Sequence, residues 1–554
     1  MLNKTGILFF LLLTLDAINV AWMAVLLKNT LDTALSGNLN ALIRVAVLAA
    51  VFLAEYSFVS LAARTLKVYY ISDIMYHIKK DLVESLLKKS IKVFSDKNSA
   101  EYISLFNNDL KMLEENYISA VILIYRSTVI LMVSLVIMIS IQPLVSFAAI
   151  LLSFLPVLIP KIYGPQLSKR TENYTKDLKK YSRFIDDILR GFFVIKNLSL
   201  EDYMNKKHQV KNSHVEAMRQ NLGRKKACAD VITNLVAVGM QFGVFIISGF
   251  FVILGRITAG DVLAITQLMN KVVNPVFDII DSLNNIKSVK KIENEILLII
   301  KETKPVYPQE EILSLNEITL NDVSFSYGNR ENALSHISLT LEKGKKYAIV
   351  GETGSGKSTL LKLIQGYFDN FSGQIFYNGK DIRNMGQDRC FQLFCAINQE
   401  VFLFEGTIRE NILFHENPKE SFLQYVLNAV TLNETLEKNG IDLSYELSNN
   451  GENLSGGERE KIALARILAK NRDWLLLDEA TASMDNETLL QIEKLLINLK
   501  DVTCISITHR YQRDILKNYD QIIVLKRGRI AEIGHYEELI NKNGVFRSLY
   551  QGKK

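Results

Sequence analysis

The stretch Gly351-Glu-Thr-Gly-Ser-Gly-Lys-Ser-Thr359 combines residue types at the spacing needed to hold a phosphate chain. Gly351, Gly354 and Gly356 permit a tight backbone that keeps Cβ atoms out of the way, and Thr353, Ser355 and Thr359 complete the expected nucleotide-binding set. The apolar run Tyr347-Ala-Ile-Val350 before it reads as a strand, and Leu360-Leu-Lys-Leu-Ile364 after it reads as a helix. A strand, a glycine turn and a helix in that order converge several N–H groups and the positive end of a helix on one point. Lys357 would reach the β- and γ-phosphates, and the Ser358 hydroxyl would ligate Mg²⁺. This is a P-loop, and the cofactors it implies are ATP and Mg²⁺.

Further along, the apolar run Trp474-Leu-Leu-Leu477 ends in Asp478-Glu479, so a hydrophobic strand delivers two carboxylates at its C-terminal end. Asp478 is expected to hold the Mg²⁺ shell and Glu479 to polarise the attacking water. Between these motifs lies Leu454-Ser-Gly-Gly-Glu458, leading into the helix-compatible stretch 459–469. Ser455, Gly456 and Gly457 at a helix start form a second anion-binding nest. A domain with one P-loop has no use for a second nest unless it reaches a nucleotide held by another copy.

These motifs need elements to carry them, and the chain of 554 residues divides into two halves of different character. Apolar runs of membrane length recur at about 6–27, 42–63, 117–141, 144–162, 227–254 and 260–283, which predicts six spans within a transmembrane domain over 1–300. Residues 301–315, with Pro305 and Pro308 among charges, are expected to be a linker, and 316–554 a P-loop α/β nucleotide-binding domain. The formal charge of +6 comes from Lys and Arg crowding 64–97 and 161–226, the pattern of loops held on the cytoplasmic side. That reads as topology, with no nucleic-acid surface. The four cysteines have no metal-type spacing and read as reduced thiols.

The connections between spans two and three, and between four and five, are long, charged and helix-compatible. They are expected to be the spans continuing into the cytoplasm, with breaks near 90–98 and 197–203. Ionisable groups inside spans are costly against lipid. Asp16 with Asn19, Glu55, Arg126, and the row Gln267, Asn270, Lys271 and Asn274 are therefore expected to face a bundle interior or a wetted substrate path, while Arg44 near a span end can snorkel. For Asp16, Glu55 and Arg126, interhelical pairing satisfies the same argument equally well.

On the ordered cassette motifs and the six preceding spans, the chain resembles the ATP-binding cassette (ABC) transporters, and among them the exporter-type half-transporters. The resemblance implies a type I exporter-like helical domain followed by the cassette. It also implies that Leu454-Ser-Gly-Gly-Glu458 is the signature closing over the partner's ATP, and that Gln399 is the Q-loop glutamine touching Mg²⁺. On the same ground Tyr327 stacks on adenine, Asp485 is the D-loop aspartate, His509 is the switch histidine at the γ-phosphate, and 90–98 and 197–208 are coupling helices. Glu479, His509, Lys357 and Gln399 are then the catalytic set. Glu458 stands where Gln is usual in the family, and Ala482-Ser-Met-Asp485 where Ser-Ala-Leu-Asp is commoner.

The function so implied is ATP-driven export of a small hydrophobic or amphipathic compound or a peptide by a dimer, with a homodimer favoured over a pairing with a homologous half-transporter. The expected setting is a cell membrane, with cassette and both termini in the cytoplasm and no cleavable signal peptide; the abundant Lys, Asn and Ile suit a bacterium with AT-rich DNA. No domain precedes the first span, so a built-in leader peptidase is not expected. Two other readings stay open: an importer on the same fold, and a membrane-anchored ATPase that regulates a partner without moving solute.

Overall fold

The computed structural model describes all residues except 1–3, 96–97, 154, 302–313, 329–331, 398–400, 479–485 and 552–554. Contacts divide the chain into two compact units. One holds Met1–Leu87 and Asn98–Glu302; the other holds Lys88–Lys97 and Thr303–Lys554.

The first unit is helical: α1 (Lys4–Leu35), α2 (Leu39–Leu87), α3 (Ser99–Ile141), α4 (Pro143–Ser153), α5 (Leu155–Arg190), α6 (Glu201–Ile253), α7 (Ala259–Ser288) and α8 (Lys290–Lys301). Among the described residues α1, α2, α3 and α6 are long and apolar enough to cross a membrane on composition alone. The expected fourth span falls on α4 and the start of α5, on either side of residue 154. The expected sixth lies in α7, which carries Asp261, Lys271, Asp278 and Asp281 and is less apolar for that reason. Its apolar face is buried instead: Ile265, Leu268, Met269, Val272 and Val273 pack with Met138 of α3 and Met240 and Val244 of α6. A helix enclosed by others needs no apolar surface all round.

At the two expected breaks in the long helices, the first short helix lies where expected and the second lies earlier. After α2 the short helix Ile91–Ser95 lies within the expected 90–98, and its Ile91 N–H donates to Gln387 Oε1 of the cassette at 3.0 Å. The expected second break at 197–203 contains the turn 198–200 before α6, but the short helix, Phe192–Asn197, lies ahead of the expected 197–208, whose residues 201–208 belong to α6. Ser199 at φ +52° closes that turn. Within α3, the two turns Leu105–Asp109 and Glu114–Ile118 are π-helical.

The second unit is built on two main sheets. Strands β1 (Glu317–Phe325), β2 (Leu334–Glu342), β3 (Lys346–Gly351), β4 (Ser372–Tyr377), β5 (Lys380–Asp381), β6 (Phe394–Ile397), β7 (Gly406–Thr407), β8 (Glu446–Leu447), β9 (Trp474–Asp478), β10 (Thr503–Ile507), β11 (Gln521–Lys526) and β12 (Arg529–Gly534) follow in order. An antiparallel sheet runs β2-β1-β4-β5, and a six-stranded sheet runs β12-β11-β3-β10-β9-β6, parallel except for β12. Strands β3, β9 and β10 are buried along their whole length, as central strands of a parallel sheet covered on both faces are. The two sheets enclose one core, in which Tyr347, Tyr377 and Trp474 are fully buried. Leu315, inside the expected linker, is already part of it, and its carbonyl accepts from the Trp474 indole at 2.8 Å.

A second core sits among Ile408–Leu413, Glu420–Ala429, Leu432–Lys438 and α9 (Gly456–Ala469), packed against the other face of β9 through Leu475 and Leu477.

Candidate functional site

The P-loop is the turn between β3 and the helix Lys357–Ile364, so its glycines come first. Gly351 sits at φ +156°, where a Cβ would lie 2.3 Å from the Leu525 carbonyl. Gly356 sits at φ +100°, where a Cβ would lie 2.7 Å from the Ala333 carbonyl and the Leu334 side chain. Both positions exclude any larger residue, by strain and by contact. The helix Lys357–Ile364 begins directly after Gly356 and offers its N-terminal N–H groups to the turn.

Lys357 is buried, and its ammonium donates to the carbonyls of Gly351 at 3.1 Å and Glu352 at 2.9 Å. The cation thus lies inside the loop. Ser355 is also buried, while Thr353 and Gly354 are exposed at the turn's outer edge. Ser358 Oγ donates to Asp478 Oδ1 at 3.1 Å, so the P-loop hydroxyl and the first carboxylate of the apolar strand share one place. Two hard oxygen donors with room for phosphate oxygens and water suit Mg²⁺, which prefers few protein ligands.

The sheet order explains how the remaining residues converge. Strand β10 lies between β3 and β9, and Ile507 at its end is paired with Ile349 on one side and Asp478 on the other. His509, two residues further, therefore leaves the sheet between the P-loop and Asp478 and is half-buried. On the far side of β9, Ile397 of β6 pairs with Leu477, one residue before Asp478. Gln399, Glu479 and Asp485 lie outside the described residues.

Tyr327 is 45% exposed, and its hydroxyl is 3.2 Å from Thr359 Oγ1, so the ring lies beside the P-loop helix. Phe325 and Phe368 hold it there. Phe325 stacks on Phe368 at 4.3 Å, and Tyr327 meets both edge-on at 5.0 and 5.6 Å. Sequence reasoning found Tyr327 and missed Phe368, which follows the P-loop helix and carries no motif of its own.

At the signature, Ser455 is the exposed N-cap of α9. Its Oγ accepts from the Glu458 N–H at 3.4 Å, and its own N–H donates to Glu458 Oε2 at 2.7 Å, which is a capping box. Glu458 Oε1 also accepts from Asn439, at the end of Leu432–Lys438. Gly456 and Gly457 follow, half-buried in the first turn. The role of Glu458 was legible as the spacing S-x-x-E; its tie to Asn439 was not.

In the helical unit Asp16, Glu55 and Arg126 find partners. Arg126 donates from Nε at 3.1 Å and Nη2 at 3.0 Å to Asp16 Oδ2. Asn19 Nδ2 donates to both carboxylate oxygens of Glu55, at 3.1 and 2.9 Å. Asn270 accepts from Gln241 at 2.9 Å; Gln267 is exposed and Lys271 half-buried. Asp278, which the polar row reaches if continued by two turns from Lys271, accepts from the Ser127 hydroxyl at 3.2 Å. Among the described residues no cluster of His, Cys, Asp and Glu could hold a metal ion, and all four cysteines are free.

With this geometry in place, the comparisons with known proteins are informative. Residues 334–482 match the family model described as ABC transporter, and residues 5–276 match that of the ABC transporter transmembrane region. YgaD of Bacillus subtilis (strain 168), an ATP-binding/permease protein named for multidrug export, is 27% identical over 489 residues, covering 86% of this chain and 83% of its own. The lactococcin-A transport/processing ATP-binding protein LcnC of Lactococcus lactis subsp. lactis is 28% identical, covering 84% of this chain and 66% of its own. A solved structure of a bacterial Atm1-family ABC exporter with ATP bound superposes with a TM-score of 0.83 at 20% identity, covering 100% of this chain and 98% of that one. That last likeness is one of fold.

Proposed function

The chain belongs to the ABC transporter family, and on that premise we propose that two copies together export a small hydrophobic or amphipathic compound or a peptide, driven by ATP hydrolysis. The chain is a multi-pass membrane protein carrying its own ATPase domain. The observation that carries the reading is the Ser358–Asp478 hydrogen bond, which assembles the phosphate and metal side of an ATPase on the same chain as the membrane helices. The names of YgaD and LcnC support export, and support a drug-like or peptide cargo.

In this reading Lys357 neutralises charge on the β- and γ-phosphates, Tyr327 stacks on the adenine, and Thr359 fixes the Tyr327 hydroxyl. Ser358 and Asp478, with Gln399, would hold Mg²⁺, which would supply neutralisation of phosphate charge. Glu479 takes the proton of the attacking water, and His509 donates to the γ-phosphate. Ser455, Gly456 and Gly457 reach the nucleotide of a second copy, with Asp485 at the shared face, so ATP holds the two cassettes together. Closure draws the cytoplasm-facing helix tips together and opens the bundle on the other side; loss of the γ-phosphate reverses it. The cassette and both termini lie in the cytoplasm of a bacterial cell.

The test is transport by purified protein in liposomes, with cassettes outward and a fluorescent amphiphile outside. Accumulation that requires ATP and disappears in Glu479→Gln supports export. ATP-driven loss of preloaded dye would mean import, and ATP turnover with no movement of any probe would favour a regulatory ATPase.

A further inference from the structure

Helix α9, which carries Ser455 at its start, is tied by hydrogen bonds to the chain that follows β6. Arg466, about three turns along α9 from Ser455, donates from Nε to the Asn411 carbonyl at 2.8 Å, from Nη2 to Asn411 Oδ1 at 3.1 Å and from Nη1 to the Phe402 carbonyl at 3.0 Å. Asn411 is 1% exposed and passes the grip on. Its Nδ2 donates to the Phe404 carbonyl at 2.8 Å, and its Oδ1 accepts from the Phe404 N–H at 2.8 Å. On the other side of the signature, Asn450 Oδ1 accepts from the Leu403 N–H at 2.9 Å.

Residues 402–404 belong to no strand or helix, so these side chains supply the partners that a sheet would otherwise give the backbone. Asn450 stands at φ +61° in the turn Asn449–Gly451, which leads into Leu454-Ser455. The same short segment is therefore bonded both to the lead-in of the signature and to the helix after it. The capping box at Ser455 fixes the local backbone but not where α9 points. Apolar packing of α9 in one core with Leu403, Ile408 and Ile412 holds it down without direction. The hydrogen bonds are what set its rotation.

The chemistry at 466 asks for an arginine. Burial pulls the guanidinium below its ordinary pKa, and among the described residues no carboxylate pairs with it. Its charge is met instead by the oxygens of Phe402 and Asn411 and by the face of the Phe414 ring, 5.2 Å away. A planar fork reaches both residues at once, whereas the single ammonium of a lysine reaches one.

We propose that Arg466, Asn411 and Asn450 are positioning residues of the ATPase: by bolting α9 and its lead-in to residues 402–404, they hold Ser455 and Gly457 at the angle that meets the nucleotide of a second copy. This deepens the shared-nucleotide reading given above and rests on it.

The test is a double-mutant cycle on ATP turnover by the full-length protein in lipid nanodiscs, with the Glu479→Gln rate subtracted as background. Ser455→Ala should lower kcat/KM about a hundredfold, the scale of losing one donor to a developing phosphate charge. Arg466→Lys, which keeps the charge and loses the fork, should lower it about tenfold. Because Arg466 acts through the signature, adding Arg466→Lys to Ser455→Ala should cost less than about twofold more. Asn450→Gly suits φ +61° and removes the acceptor; it should repeat this pattern, and Asn450→Asp should recover most of the rate. If Arg466→Lys does not fold, by size exclusion, the Asn450 cycle decides alone. Losses that multiply in the double variants overturn the proposal, as does wild-type turnover in both Arg466→Lys and Asn450→Gly; either result leaves the shared-nucleotide reading standing. Wild-type turnover in Ser455→Ala sinks that reading and the proposal with it.

Discussion

Ser358 and Asp478 stand 120 positions apart in the chain, and their side chains meet at 3.1 Å. The contact exists because β3 and β9 are both neighbours of β10, which brings the P-loop and the end of the apolar strand to one edge of the sheet. Replacing Asp478 with Asn keeps the shape and removes the charge. ATP turnover should fall roughly a hundredfold or more, the scale of losing one preorganised electrostatic contact. The Mg²⁺ concentration for half-maximal turnover should rise. An unchanged Mg²⁺ dependence would remove Asp478 from the metal shell.

Glu458 makes both halves of the capping box at Ser455. Glu458→Ala should cost about 1 kcal/mol of stability, the usual value of such a cap, and raise the KM for ATP. Glu458→Gln keeps an acceptor for the Ser455 N–H and removes a negative charge beside the anion nest. It should lower the KM for ATP, which steady-state turnover in lipid measures; a rise would contradict the charge argument.

Glu493 lies in α10 (Asn486–Asn498), is 8% exposed, and has Oε2 unpartnered. Burial pushes its carboxyl up from 4.5 to about 7, against a smaller opposing pull from Arg510. The folded state therefore holds the proton more tightly than the unfolded chain. Its contribution to stability is fully present below about pH 4.5 and lost as pH rises through about 7, on the order of 3 kcal/mol in all. Glu493→Gln removes this dependence. The melting temperature of wild type minus that of the variant should fall across pH 5 to 8; a flat difference would mean that the carboxyl is not desolvated.

At the other end of the bundle, Asp32 accepts from the Thr258 hydroxyl and the Gly260 N–H, each at 2.9 Å, and Lys28 pairs with Asp261 at 2.6 Å. A Cβ on Gly260 would lie 2.5 Å from Asp32 Oδ1 and 2.6 Å from the Lys28 carbonyl. Gly260→Ala should force α1 and α7 apart at this end, lowering the melting temperature by several degrees, since overpacking costs about 1–3 kcal/mol. A cysteine placed at Asn29 should become more reactive to a membrane-impermeant thiol reagent. Unchanged melting and labelling would show that the two helix ends do not need this approach.

Much of the nucleotide site was legible because its chemistry is local. Gly351 to Thr359 encode a turn, a cation and a hydroxyl within one stretch, and the strand before Asp478 encodes its own burial. The bundle was less legible. A hydropathy reading cannot tell α7, polar because other helices enclose it, from a weak span, and although the turn 198–200 falls within the expected break, the short helix before it, Phe192–Asn197, lies ahead of the expected 197–208.

The chain's order of motifs alone determined that it binds ATP, where the glycines must be, and that a membrane half precedes a cassette. Only the folded arrangement decided that Arg126 belongs to Asp16, that Glu55 and Asp278 are left with neutral donors, and that Ser358 meets Asp478. The physical reason is that a motif's backbone conformation is set by its own residues, whereas the partner of a charge depends on how helices and strands distant in the chain are rotated against one another.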